Sequence, residues 1–102
     1  MGGENMATTE RMIEARREVS RFAEGMEDRL KEKDHLFPNG WVGDDPSFLL
    51  GEAWKRMADL NTAFIDAERY GYQEFVEKIR TKAFDTSNFL MMVVDNIGGF
   101  DA

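Results

Sequence analysis

The stretch DPSFLLGEAWKRMADLNTAFIDAERYGYQEFVEKIRTKAFDTSNFLMMVVDNIGG, Asp45 to Gly99, carries its own punctuation. Asp45 is placed to cap the free N–H groups of a helix whose first turn holds Pro46, where a missing donor costs nothing. Leu50, Ala53, Met57, Leu60, Phe64 and Ala67 then recur every three or four residues, the period of one helix face. Gly71, directly after Tyr70, is a natural C-terminal stop. From Tyr72 the same period resumes through Phe75, Ile79, Ala83, Thr86, Leu90, Val93 and Ile97, until Gly98 and Gly99 lower helix propensity. Two long helices separated by one glycine fold back on each other as an antiparallel hairpin.

Working towards the N-terminus, Met12, Ala15, Val19, Phe22, Met26 and Leu30 keep the helical spacing, which predicts a first helix starting at Thr8 or Thr9 and fading near Lys33. Asp34, His35, Pro38, Asn39 and Gly40 mark a loop that also holds Leu36, Phe37 and Trp41. Residues 1–7, with Gly2 and Gly3, read as a flexible leader, and 8–102 as a single helical domain. The predicted fold is all-α, an antiparallel bundle of three long helices. Their apolar stripes are too wide for one short chain to cover, so a second copy is expected to complete the bundle, as a homodimer or homotetramer.

The 102 residues are 42% hydrophobic and 32% charged, the balance of a chain that folds rather than one that stays disordered. A formal net charge of −7 argues against duplex DNA or RNA as a partner, while leaving room for a small anion in a locally basic pocket. The absence of cysteine removes disulfides, thiolate metal sites and thiol nucleophiles. No apolar core of a signal peptide and no bilayer-length apolar run is present, so the expected location is the cytoplasm, away from membranes.

Charged groups sit on the shoulder of two of the apolar stripes, Arg56 and Asp59 on the second helix and Lys82 and Asp85 on the third. Each pair is spaced i, i+3, so its members share a face. In a hairpin turning at Gly71, Asp59 and Lys82 lie about equally far from the turn, as do Arg56 and Asp85, which predicts two cross-helix ion pairs. Arg16, Arg17 and Arg21 alternate with Glu14, Glu18 and Glu24 and read as a solvated face. Met57, Met91 and Met92 read as core filling.

From Phe22 to Gly98 the chain resembles a known family. Phe22-Ala23-Glu24-Gly25-Met26-Glu27, leading into Lys33-Asp34-His35 and then Gly40-Trp41, is similar to the opening of phage and bacterial MazG-like proteins. Lys82-Ala83-Phe84-Asp85-Thr86-Ser87-Asn88-Phe89-Leu90-Met91-Met92 is similar to their last long helix. The resemblance implies hydrolysis of nucleoside triphosphates to monophosphate and pyrophosphate, with magnesium held by Glu-x-x-Glu on one helix and Glu-x-x-Asp on the next. Hard divalent ions take oxygen ligands and bridge phosphate oxygens while activating water, which is why four acids are used.

Carried onto this sequence, the first pair falls on Arg56 and Asp59 and the second on Lys82 and Asp85. Two acids facing two bases already sum to zero and satisfy each other without an ion. Three readings follow. In the first, a nucleotide is bound without efficient hydrolysis and without a cofactor, Arg56 and Lys82 holding phosphate, Asn88 donating to it, and Trp41, His35 or Phe37 stacking on the base. In the second, Glu52, Asp59 and Asp85 still hold magnesium and the chain is a pyrophosphohydrolase. In the third, only the bundle is kept, as an assembly module.

Overall fold

The computed structural model describes residues 15–36 and 39–101. Three helices account for most of them: α1, Arg17–Lys33; α2, Pro46–Tyr70; and α3, Tyr72–Asn96; no strand occurs among the described residues. The all-α reading holds. No helix is long and apolar enough to cross a membrane among the described residues.

The start of α2 is as the sequence dictates: the Asp45 side chain accepts from the Ser47 backbone N–H at 2.7 Å, with Pro46 in the first turn. Gly71 is the whole connection to α3. Its φ of 107° and ψ of 138° suit only a residue without Cβ, and its N–H still donates to the Ala67 carbonyl at 2.8 Å. The chain therefore reverses in one residue, and α2 and α3 pack along their length as an antiparallel hairpin.

The hairpin closes on small side chains. Leu49, Ala53, Ala63 and Ala67 are the buried apolar residues of α2: Ala53 and Ala67 are buried as expected, while Leu49 and Ala63 take the places expected of Leu50 and Phe64. Leu50, Met57 and Phe64, placed in that stripe by their spacing, are instead 44%, 49% and 44% exposed. The reason is that α2 carries two apolar seams. Alanine lets two helix backbones approach closely, and the bulky seam is turned away from α3.

The buried positions of α3 are polar: Asp85, Thr86 and Asn88. Thr86 Oγ1 donates back to the Lys82 carbonyl at 2.8 Å, and Asn88 Nδ2 donates across to the Met26 carbonyl of α1 at 2.9 Å. α1 lies over α3, with Phe22 edge-to-face on Phe84 at 4.9 Å between centroids. The first helix is shorter than expected. Ala15 and Arg16 are not helical, and α1 begins at Arg17 behind an extended Arg16 (φ −57°, ψ 147°) with no side-chain cap. The expected start at Thr8 or Thr9, the leader 1–7, Met12 and Phe37 lie outside the described residues.

The loop before α2 is latched to the end of α3. Trp41 Nε1 donates to Asp95 Oδ2 at 2.8 Å, and Asn96 Nδ2 donates to the Asp44 carbonyl at 2.8 Å and that of Trp41 at 3.3 Å.

Two helical glycines differ in what surrounds them. A Cβ on Gly25 would stand 2.2–2.7 Å from ring atoms of Phe84, which the Phe22 ring already confines; a Cβ on Gly51 would meet nothing within 4 Å. Alanine gains up to about 1 kcal/mol over glycine inside a helix, whereas overpacking costs about 1–3 kcal/mol. Urea denaturation should therefore show Gly25→Ala destabilised by about 1 kcal/mol, restored by adding Phe84→Leu, and Gly51→Ala stabilised by about 0.5–1 kcal/mol. Equal effects at the two sites would contradict the close crossing of α1 on α3.

Candidate functional site

The hairpin brings one of the two expected cross-helix pairs together. Lys82 Nζ and Asp59 Oδ2 are 3.9 Å apart, as their equal distance from Gly71 requires. Arg56 and Asp85 do not pair. Asp85 is taken by Arg29 of α1, whose Nε donates to Oδ1 and Nη2 to Oδ2, both at 2.9 Å. Arg56 turns along its own helix to Glu52, at 3.5 Å, and its guanidinium lies 5.3 Å from the centre of the Phe89 ring. Distance from Gly71 relates α2 to α3 alone, and Arg29 of α1 reaches Asp85 first.

Arg29 was not singled out from the sequence, although a signal for it existed. It falls one turn after Met26 and two after Phe22, on the apolar stripe of α1, and a cation within a stripe calls for a buried acid. Its Nη1 also meets Glu32 Oε2 at 2.6 Å.

Electrostatics follows this geometry. Burial pushes the Asp85 carboxyl pKa up, but the hydrogen bonds from Arg29, with the charges of Lys33, Arg29 and Lys82, outweigh it and hold the carboxyl below its ordinary 3.8. Arg29 is raised in turn, first by its hydrogen bond to Asp85. Glu52 is lowered, first by the hydrogen bond from Lys55, with Lys55 Nζ 2.9 Å from its Oε2.

The three-oxygen magnesium set of Glu52, Asp59 and Asp85 is not assembled. Each acid is held by a different cation: Glu52 by Lys55 and Arg56, Asp59 by Lys82, and Asp85 by Arg29. Among the described residues no three carboxylate or imidazole groups come together as a metal would need. Asn88 spends its amide N–H on the Met26 carbonyl, tying α3 to α1; its buried Oδ1 has no hydrogen-bond partner.

Beside these pairs is a cavity of about 200 Å³ between the end of α1, the loop and the α2–α3 hairpin. Trp41, Phe48 and Phe89 supply aromatic walls, Leu30, Leu49 and Met92 aliphatic ones, and Lys33, Arg56, Asp34, Asp44 and Glu52 the charges. Of the residues singled out as ligand-binding, Trp41 and Arg56 line it, while His35, Asp59, Lys82, Asp85 and Asn88 do not. A larger open groove between α1 and α3, about 900 Å³, is lined by Arg21, Arg29, Arg80 and several acids. Two of those arginines are already paired, Arg29 with Asp85 and Glu32, and Arg80 with Glu77. Set against protein-family models, curated proteins and solved structures, the chain matches none.

Among the described residues, the Arg29–Asp85 pair is the tie whose loss leaves a charge stranded beside a packed interface. Asp85→Ala should cost about 3 kcal/mol in urea denaturation, whereas Arg29→Met with Asp85→Leu should stay within about 1 kcal/mol of the parent. Because the Asp85 pKa is lower folded than unfolded, its contribution is present above the ordinary carboxylate range and is lost as pH falls from 3.8 through the depressed value. A urea titration against pH should show that loss in the parent and not in the double variant. Identical acid sensitivity in both would assign it to other carboxylates.

Proposed function

We propose that this protein binds a nucleotide-like ligand, an aromatic ring carrying phosphate, in the cavity beneath Trp41 and does not hydrolyse it efficiently. The observation that carries the reading is one hollow with three aromatic walls and two cations, Lys33 and Arg56, among three acids, Asp34, Asp44 and Glu52, of which Glu52 is held by Lys55 and Arg56. Drug-sized ligands fill about 300–1,000 Å³, so a hollow of about 200 Å³ suits the ring alone, with the phosphates at its mouth.

Arg56 suits the phosphate role. Its bond to Glu52 is long at 3.5 Å, and a guanidinium that exchanges a loose carboxylate for phosphate gains a bidentate partner. Phe89 beneath it holds the guanidinium plane in place. Trp41 has its indole N–H tied to Asp95, which leaves the ring face as what it offers a base.

The resemblance to MazG-like pyrophosphohydrolases supports the same ligand class. Hydrolysis by that route needs magnesium on clustered acids, and the cations at positions 29, 55, 56 and 82 compete for each one. Binding of this kind needs no cofactor. A cytoplasmic setting, where nucleotides are at hand, fits the cysteine-free sequence, and the net charge of −7 keeps duplex nucleic acid from the list of partners.

Titration calorimetry with nucleoside mono-, di- and triphosphates, with magnesium and then with chelator, tests this. Binding should survive chelation, and no pyrophosphate should appear. Arg56→Ala and Trp41→Ala should each weaken binding about tenfold or more, since a charge-assisted hydrogen bond and a base stack are each worth roughly 1.5–3 kcal/mol. Magnesium-dependent release of pyrophosphate that Asp59→Asn or Asp85→Asn abolishes would establish the hydrolase instead. Absence of any binding would leave the assembly reading.

A further inference from the structure

The turn between α1 and α2 holds Asn39 followed by Gly40, a pair with a chemistry that the ligand reading does not use. The side-chain carbonyl carbon of an asparagine, Cγ, is electrophilic, and the backbone nitrogen of the next residue can close a five-membered ring on it. Two things ordinarily prevent this: the next side chain crowds the nitrogen, and secondary structure holds the backbone in a conformation that keeps the two atoms apart. Glycine has no Cβ and crowds nothing.

The chain has five asparagines, and Asn39 alone precedes a glycine. Asn5 precedes Met6 and lies outside the described residues. Asn61 and Asn88 are inside α2 and α3, where the next N–H is spent on the carbonyl four residues back. Asn96 closes α3 ahead of the β-branched Ile97, and its amide is occupied with the Asp44 and Trp41 carbonyls. Asn39 has none of these restraints. It is exposed, as is Gly40, and both lie in a turn. The bond across that turn, from the Val42 N–H to the Asn39 carbonyl, is long at 3.4 Å. Around Gly40, whose φ is 60°, nothing stands within 4 Å of where a Cβ would be, so a ring has room to form.

We infer that Asn39 deamidates spontaneously in the folded chain, through a cyclic imide with the Gly40 nitrogen, and that the isoaspartate formed there displaces the Trp41 wall of the cavity. The Gly40 nitrogen gives up its proton and bonds to Asn39 Cγ, the Cγ–Nδ2 bond breaks, and ammonia leaves carrying that proton. Water then adds to one of the two imide carbonyls. Opening at Cγ leaves aspartate. Opening at the backbone carbonyl leaves isoaspartate, in which the main chain runs through Cβ and Cγ and the former backbone carbonyl is a free carboxylate. One water is consumed and one ammonia released, with no oxidant and no cofactor.

Isoaspartate adds one carbon to the main chain ahead of Gly40, about 1.5 Å. Trp41 is the next residue on, and its indole N–H is held to Asp95 at 2.8 Å, a bond that does not survive a displacement of that size. The Val42 N–H loses its acceptor as well, since that carbonyl has left the main chain. Gly40 and Trp41 both line the cavity, so the change falls on its wall.

Folded full-length chain, held for days in mildly alkaline buffer at body temperature and then digested with trypsin, tests this. Asn39 falls in the peptide Asp34–Lys55, which has no other amide side chain. That peptide should gain one mass unit and split into two chromatographic species of equal mass, while the peptides holding Asn61, Asn88 and Asn96 stay unchanged over the same period. Asn39→Gln should abolish the gain, because its ring would need a sixth member. In proton NMR spectra the Trp41 indole N–H signal of the isoaspartate form should move, while that of Trp54, exposed on α2, holds still. Asn39→Asp, which brings the charge without the extra carbon, should leave both in place. Neither readout involves a nucleotide, so both are separate from the ligand reading. An Asp34–Lys55 peptide that keeps its mass in the folded chain overturns the inference, whether or not chain unfolded in urea converts. So does a Trp41 signal that stays in place in the isoaspartate form or moves equally in Asn39→Asp.

Discussion

Asp85 is a carboxylate buried at 5% exposure in the middle of α3, and everything on the α1 side of the molecule answers to it. An unpaired charge in that position would cost several kcal/mol, so a donor has to be brought in. The donor is Arg29, and bringing it in fixes where α1 crosses α3 and which way it faces. The Asn88 amide on the Met26 carbonyl and the tight fit of Gly25 against Phe84 are consequences of the same crossing. Because Leu30 and Lys33 follow Arg29 on the last turns of α1, the pair also decides that one wall of the aromatic cavity exists. Asp85 thus serves as the anchor of a helix.

Much of the fold was legible because its signals are local. Asp45-Pro46 as a start and Gly71 as a stop are matters of one residue's hydrogen-bonding or steric freedom, and both appear where the sequence puts them. The Asp59–Lys82 pair was legible for a similar reason, since a one-residue turn fixes hairpin register. What could not be read is which of two overlapping apolar stripes faces inward. Ala53 and Ala67 continue at helical spacing either with Leu49 and Ala63 or with Leu50, Met57 and Phe64, and periodicity carries no preference between the two. Packing decides: the small residues go where backbones must approach, and spacing alone favoured the larger ones.

The site was read less well, and for a physical reason. In the sequence, Arg56, Asp59, Lys82 and Asp85 form a set of two acids and two bases whose charges cancel. Cancellation in sum does not say who pairs with whom, and a third helix supplied a better partner for Asp85. Arg29 offers a bidentate fork at 2.9 Å, against which a residue on the neighbouring helix would have had to compete. Arg56, left without Asp85, settles for a 3.5 Å contact with Glu52 and a ring face, and so sits at the cavity rather than in the charge cluster. His35 and Asn88, adjacent in sequence to good candidates, end outside the cavity because the loop and the helix phase turn them elsewhere.

The distribution of polarity around α2 and α3 ties these points together. In an ordinary small domain the bulky apolar residues are spent on the core and the polar ones on the surface. Here α3 buries Asp85, Thr86 and Asn88 while Trp54, Val76 and Ile97 stay accessible. Buried polar groups supply little net stability, since each bond made replaces one to water. They do supply direction, because Asp85 and Asn88 accept α1 in one register only. Apolar area supplies stability without direction, and among the described residues much of it stays accessible along α2 and α3. The same two helices thus hold a specific, weakly stabilising contact on one side and an accessible apolar surface on the other.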